Sequence, residues 1–279
     1  MYRLELGTSV KLVSKGAFNP DYYQELKEIK RLGFESVEVS MGGVGGYKFN
    51  MEKATEVAAD ALQAVLDEGL ILNSVHMPFQ RFIYISSCDE GVRAWASDEF
   101  RKLIEVCNPF KPRNYVFHSK VGRAEEGLVE ARKPALFKTF REMIAATDSN
   151  VCIENMTSTS YPNTIDAMKE VLQEVENSKC CIDMNHFMYN KPEDAIIALG
   201  KWLRNIHVSD YDGTMEKHWM PKTGAIDWMK VIGALEKIGY KGAFTYEVIK
   251  DPNGRPYTFE EIRENYDQLF EEYNKLRSH

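Results

Sequence analysis

The chain has 279 residues, 44% hydrophobic and 28% charged, with 35 Lys+Arg against 42 Asp+Glu and a formal net charge of −7. That is the composition of a globular protein able to bury a sizeable core. It argues against a dedicated nucleic-acid binder, whose footprint is a basic domain or stripe. No stretch approaches the roughly 18 apolar residues of a membrane span. The opening MYRLELGTSVKL lacks the basic and apolar regions of a secretory signal. Five cysteines, an odd number with no Cys-x-x-Cys pair, point to the cytoplasm.

In chain order, short apolar runs predict strands at Tyr2 to Leu6, Ser36 to Val39, Leu72 to Val75, Tyr115 to Phe117, Val151 to Ile153, Cys180 to Ile182, Ile206 to Val208 and Ala243 to Val248. Helical patterns separate them: Tyr22 to Leu32, Met51 to Glu68, Val92 to Val106, Leu128 to Ala146, Thr164 to Val175, Pro192 to Leu203, Ile226 to Ile238 and Phe259 to Leu276. Thr164 is a good N-cap type, and Gly33 and Gly239 follow basic residues as helix stops. No linker or composition shift divides the chain, so residues 1–279 form one domain.

Eight strand–helix units over this length predict a (β/α)8 TIM barrel, typically about 250 residues. A doubly wound open sheet needs a Gly-rich phosphate loop opening a helix. The one Gly cluster, Gly42-Gly-Val-Gly-Gly46, lacks the dinucleotide spacing and reads as a flexible βα loop able to serve as a lid.

In such a barrel, catalytic groups belong at the C-terminal strand ends and the loops after them. Five of the six histidines fall there: His76 (SVHMPF), His118 (YVFHSK), His186 (IDMNHF), His207 (NIHVSD), and His218 in the next loop. Any one could be a buried structural imidazole; five on one face point to metal binding or proton transfer. Carboxylates take matching places, Glu154 (CIENM), Asp183 (CIDMNH) and Glu247 (TYEVIK), while Glu38 lies inside the second strand. A charge in an apolar strand is costly unless paired or metal-bound, and these strands offer almost no basic partners. Glu154, Asp183, His207 and Glu247 would make a mostly oxygen site with one nitrogen. That donor set suits Mn²⁺ first, with Zn²⁺, Co²⁺ or Mg²⁺ as alternatives.

These motifs, with the H-x-x-P-x-x-G-x-I-D stretch from His218 to Asp227, resemble the xylose isomerase-like barrels over essentially the whole chain. That superfamily holds sugar isomerases and epimerases and also endonuclease IV. The resemblance implies that Glu154, Asp183, His207 and Glu247 hold a catalytic divalent ion. It further implies that Glu154 and Glu247 move the substrate proton in an epimerase. Such chemistry removes a proton beside a carbonyl whose oxygens the metal holds, with a carboxylate on each side of the carbon. His186 is the next candidate for proton transfer. His76, His118, Glu216, His218, Lys120 and Trp219 are candidates for further metal or substrate contacts. Phe79 and Tyr211 are further aromatics able to cover a sugar.

Relatives carry a second glutamate after the match to Glu154 and an arginine after the match to His207; Ser160 and Gly213 stand there instead. That departure leaves sugar isomerase, epimerase and inosose dehydratase-type lyase chemistry all open. Endonuclease IV-like zinc phosphodiester hydrolysis of abasic DNA is the alternative. Its nine ligand places find counterparts in His76, His118, Glu154, Asp183, His186, His207, Glu216, His218 and Glu247, with Glu216 replacing Asp. Loop cations Lys120, Arg123, Lys217, Lys222 and Arg255 are offset by Glu125, Glu126, Asp210 and Asp212. The expected partners are a small carbohydrate and, where the barrel self-associates, a homo-oligomer, with no membrane and no nucleic acid.

Overall fold

Period-two alternation along each strand sends every second side chain toward the helices and the others into the barrel lumen. The computed structural model describes residues 1–14, 17–42, 51–79, 84–119, 126–157 and 160–278. Its strands are β1 (Glu5–Lys11), β2 (Ser36–Ser40), β3 (Ile71–His76), β4 (Asn114–Phe117), β5 (Asn150–Glu154), β6 (Lys179–Asp183), β7 (Leu203–Val208) and β8 (Ala243–Tyr246). All pair in parallel with their sequence neighbours, and β8 closes on β1 with Glu5 opposite Ala243 and Thr8 opposite Tyr246. Between and after them run α1 (Tyr22–Arg31), α2 (Met51–Asp67), α3 (Glu90–Cys107), α4 (Glu126–Ile144), α5 (Ile165–Glu174), α6 (Pro192–Leu199), α7 (Trp228–Lys237) and α8 (Phe259–Arg277). The fold is a single-domain (β/α)8 TIM barrel. The Gly cluster beyond Gly42 lies outside the described residues. No helix among the described residues is long and apolar enough to cross a membrane.

Two elements depart clearly from expectation: the first strand starts at Glu5 and runs to Lys11 rather than from Tyr2 to Leu6, and α6 stops at Leu199 rather than Leu203, which opens β7. Leu6, Thr8 and Val10 are the buried outward residues of β1. Gly7 faces inward, where an added Cβ would come 2.8 Å from Ser36 Oγ. The small, polar character of Gly7 and Ser9 is therefore what the lumen calls for. Several helix ends follow their capping chemistry. Thr164 accepts from Ala167 N, Asp227 accepts from Lys230 N, and Thr258 with Glu261 forms a capping box.

Two interiors result. The large one joins the outward faces (Val37, Val39, Tyr115, Phe117, Val151, Ile153, Ile182, Ile206, Val208 and Phe244 among them) to the helices. Inside the barrel a small apolar cluster of Val116, Cys152 and Cys181 stands apart from it. The rest of the lumen is polar: Asn73 Nδ2 donates to Asn205 Oδ1 (2.9 Å) and Thr245 Oγ1 (3.3 Å), and Asn205 Nδ2 reaches Glu38 Oε2 (3.2 Å). TIM barrels usually fill this space with branched apolar side chains. Here it is a hydrogen-bonded column beneath the C-terminal mouth. Register shifts at Val37/Glu38 and Cys180/Cys181 adjust how β2 and β6 aim their side chains into it.

Candidate metal centre

The strand ends deliver the expected side chains to one place. His76, Glu154 and Asp183 are the last residues of β3, β5 and β6, His207 is the penultimate residue of β7, and His118 and Glu247 follow β4 and β8 directly. Among the described residues three groups of potential ligands form, with the ligating atoms of each within 4.8 Å of one another: His76–His118–Glu154, Glu154–Asp183–His207–Glu247, and Asp183–His186–His218. Glu154 and Asp183 are each shared by two groups. Glu216 completes the third side of the mouth, with its Oε1 2.8 Å from His218 Nε2 and 3.6 Å from His186 Nε2.

Local chemistry explains how the loop residues arrive. Asp183 Oδ1 accepts from Asn185 N (2.8 Å), an Asx turn that folds His186 back over the strand end. Asn155, next after Glu154, clasps β6 by accepting from Asp183 N (2.7 Å) and donating to Asp183 O (2.9 Å). The loop after β7 is closed by a two-way backbone bridge between Asp210 and Trp219. Buried Asp210 accepts from the backbone N–H groups of Tyr211, Lys222, Gly224 and Ile226 and from the indole of Trp228. Gly224 is required there, because a Cβ would collide with Tyr211 O and Asp210 Oδ1. His218 itself sits at φ 54°, a left-handed conformation that non-glycine residues adopt at some cost.

Three of the histidines share one arrangement. His76 donates Nδ1–H to Met77 O (3.0 Å), His186 to Asn155 O (2.9 Å), and His218 to Glu247 O (2.9 Å). A carbonyl only accepts, so each ring carries its hydrogen on Nδ1 and turns Nε2 toward the carboxylates. His207 is reversed: Nε2 faces Glu38 Oε2 at 2.9 Å, and Nδ1 faces Glu247 Oε2 (3.1 Å), Glu154 Oε1 (3.3 Å) and Asp183 Oδ2 (4.0 Å). One ring nitrogen fixed by an outer acceptor and the other aimed inward is how metal-ligating histidines are held. Glu154 lies at the centre, its Oε2 3.2 Å from His76 Nε2 and 3.1 Å from His118 Nε2.

The electrostatics follow from burial and pairing. Burial pushes Asp183 up to about 6, with the charges of Glu247 and Glu154 adding to it against His186 and His218. At Glu154 burial also works upward, but His118 and His207 outweigh it and hold the carboxyl well below its usual range. Glu38 is likewise lowered, His207 overcoming burial. Burial opposes charge on His186 and His218, yet Asp183 and Glu216 raise them to about 10 and about 9. His118 moves the other way, because there burial wins over Glu154.

These residues fit a divalent cation. Asp183 Oδ2 is buried with no hydrogen-bond partner, although two further carboxylates and an imidazole nitrogen converge beside it. An oxygen-rich set with one nitrogen could hold such an ion and satisfy that orphaned atom.

The aromatic candidates divide. Phe79 stacks on His118 with centroids 4.6 Å apart, Trp219 lies 5.8 Å beneath Lys217 Nζ, and Tyr211 is buried with its hydroxyl donating to Phe187 O. Lys217, Lys222 and Arg255 are paired with Asp212, Glu272 and Glu261. Lys120, Arg123 and Glu125 lie outside the described residues. Sequence patterns gave no role to Asn155, to the lumen-facing Glu38 or to Asp210. The available signals were a polar residue continuing an apolar strand, a carboxylate within one, and an aspartate that reads like an ordinary turn.

A family model described as xylose isomerase-like TIM barrel matches residues 26–271. The chain belongs to the xylose isomerase-like TIM-barrel family. No protein of curated function matches its sequence. Among solved structures, D-allulose 3-epimerase from Methylomonas sp. in complex with D-allulose is similar to this xylose isomerase-like barrel at a TM-score of 0.75 and 16% identity, covering 97% of each chain. A D-psicose 3-epimerase in the presence of D-fructose gives 0.73 at 17% identity over 96% of this chain and 97% of the other. The apo 3-keto-D-glucoside 4-epimerase from E. coli gives 0.71 at 14% identity over 96% and 99%. At such identities the likeness is one of fold.

Proposed function

We propose that this chain is a divalent-metal-dependent sugar isomerase or epimerase that works by proton transfer at a carbon beside a carbonyl. The observation that carries this is the Glu154–Asp183–His207–Glu247 group, three carboxylates and one correctly turned imidazole on four strand ends. The similar structures named as sugar epimerases support it. When bound, the ion, Mn²⁺ by donor set, would supply Lewis-acid polarisation of the substrate's carbonyl. Asp183 and His207 are fully buried and are proposed to hold it. Glu247 keeps 22% of its side chain exposed and is the carboxylate best able to face a substrate carbon. Glu154 would serve the opposite side, and its grip on His76 and His118 orients it. His186 is proposed to move a proton or bind a substrate hydroxyl, with Phe79 and Trp219 against the sugar's apolar face. Five cysteines without a disulfide suit the cytoplasm.

The test is turnover of a panel of ketoses, inososes and sugar phosphates by protein reloaded with Mn²⁺, in deuterated water. A product carrying solvent deuterium at one carbon is expected. No turnover of any panel member would count against the proposal.

One observation favours a second function, three-ion phosphodiester hydrolysis: nine side chains make contiguous groups that share Glu154 and Asp183. Against it, Lys217, Lys222 and Arg255 are occupied by carboxylates rather than set out as a phosphate track. Counting ions per chain decides, one for the sugar enzyme and three with cleavage of abasic DNA for the nuclease.

A further inference from the structure

Three site histidines fix their outer nitrogen on a neutral backbone carbonyl; His207 turns it instead to a carboxylate, Glu38 Oε2, at 2.9 Å. Glu38 is fully buried inside β2, on the far side of His207 from the proposed ion. The same oxygen accepts from Ser74 Oγ (2.7 Å) and Asn205 Nδ2 (3.2 Å), and Asn205 is held in turn by Asn73. Its other oxygen, Oε1, is buried without a hydrogen-bond partner. A carboxylate left half-satisfied in the lumen is costly for the fold. Its best-served neighbour is the Nε2–H of His207.

We infer that Glu38 is a positioning residue for the metal centre: it fixes the Nε2–H tautomer of His207 and makes Nδ1 a stronger ligand than a carbonyl-bound imidazole would be. The inference rests on the proposed metal-dependent function. Through Glu38, the polar lumen becomes the outer layer of the site. Ser74 and Asn205 set the carboxylate's angle, and Asn73, itself bonded to Thr245, holds Asn205. The β2 register shift at Val37/Glu38 aims the side chain across the barrel. Outer partners of this kind are typically worth 10–100-fold in metal affinity.

The experiment titrates chelator-treated protein with Mn²⁺ and Co²⁺ against a competing chelator, for wild type and Glu38→Gln, with the unfolding temperature of the ion-free proteins measured alongside. Glutamine can still accept from His207, so the ion-free variant should unfold near the wild-type temperature while its affinity falls about 10–100-fold. The Co²⁺ absorption bands should shift. Equal affinities overturn the inference and leave the metal-dependent function intact; failure of the wild type to bind either ion overturns both. An ion-free variant that unfolds well below wild type makes Glu38 merely structural and also counts against the inference. Independently of any variant, ¹⁵N–histidine spectra of Cd²⁺-loaded wild type should show cadmium coupled to His207 Nδ1 and a protected Nε2–H. Coupling through Nε2 overturns the inference.

Discussion

The indole N–H of Trp228 donates to Asp210 Oδ2 at 2.9 Å, tying the first residue of α7 to the first turn of the loop that carries Glu216 and His218. Asp210 organises that loop through four backbone donors as well, so removing its carboxylate strands several buried N–H groups at once. Each such group costs about 1–3 kcal/mol. Asp210→Ala should therefore lower stability by about 3 kcal/mol or more in urea unfolding of the ion-free protein. Asp210→Asn, which keeps one acceptor oxygen, should lose less. Equal and small losses would show that the loop holds its shape without this residue.

The motif from His218 to Asp227 illustrates what a sequence can and cannot disclose. Gly224 and Asp227 announce themselves as a turn and a helix start, and the structure uses them that way. Strand ends were equally legible, because apolar runs terminating in His, Glu or Asp recur at eight-stranded spacing. The first strand was not, since an inward face of Gly7 opposite Ser36 has no apolar signature. Contacts across the barrel, such as Asn73 with Asn205, join residues 132 positions apart and have no local pattern at all. Asp210 looked like an ordinary loop aspartate for the same reason: four of its donors are spread along the loop from Tyr211 to Ile226 and the fifth is the first residue of α7.

Metal dependence gives the next expectation. Chelation should abolish activity, and Mn²⁺ or Co²⁺ should restore it. Glu154→Gln and Asp183→Asn should each weaken ion binding by more than about the 10–100-fold that loss of an outer partner brings. Asp183→Asn is the sharper case, because its buried Oδ2 has no hydrogen-bond partner. Full metal content in both variants, measured by elemental analysis, would mean that other residues are the ligands.

The ion-free protein should have an unusual pH profile. His186 and His218 are raised to about 10 and about 9, from an ordinary 6.5, mainly by Asp183 and Glu216 working against burial. The folded chain thus holds protons that the unfolded chain releases. Their stabilisation is complete below about pH 6.5 and is lost as pH rises through about 9 to 10. Among the site carboxylates only Asp183, raised to about 6, still titrates at the acid edge of that window. The unfolding temperature of chelated protein should fall from pH 6.5 to 10. Ion binding at these rings must displace the same protons, so affinity there should rise over that range. A flat or rising unfolding temperature in the ion-free protein would contradict these assignments.

Proton transfer provides the most direct test of the catalytic roles. Glu247 follows β8 with its Oε2 3.1 Å from His207 Nδ1, and it is the most exposed member of the four-residue group. Glu154 is enclosed, with both oxygens facing histidines. If the two flank a reacting carbon, each is base in one direction and acid in the other, and the carbon's hydrogen exchanges with solvent. Glu247→Gln keeps an oxygen for a ligand but removes the proton carrier. Turnover should fall at least about 10²-fold, the lower range for a positioned acid or base. Metal content should fall less than in Asp183→Asn. The measurement is deuterium incorporation during single turnovers of whichever panel sugar reacts. Product without deuterium would point to a hydride shift between carbons instead. Unchanged turnover in Glu247→Gln would remove this residue from the chemistry, leaving it at most a ligand.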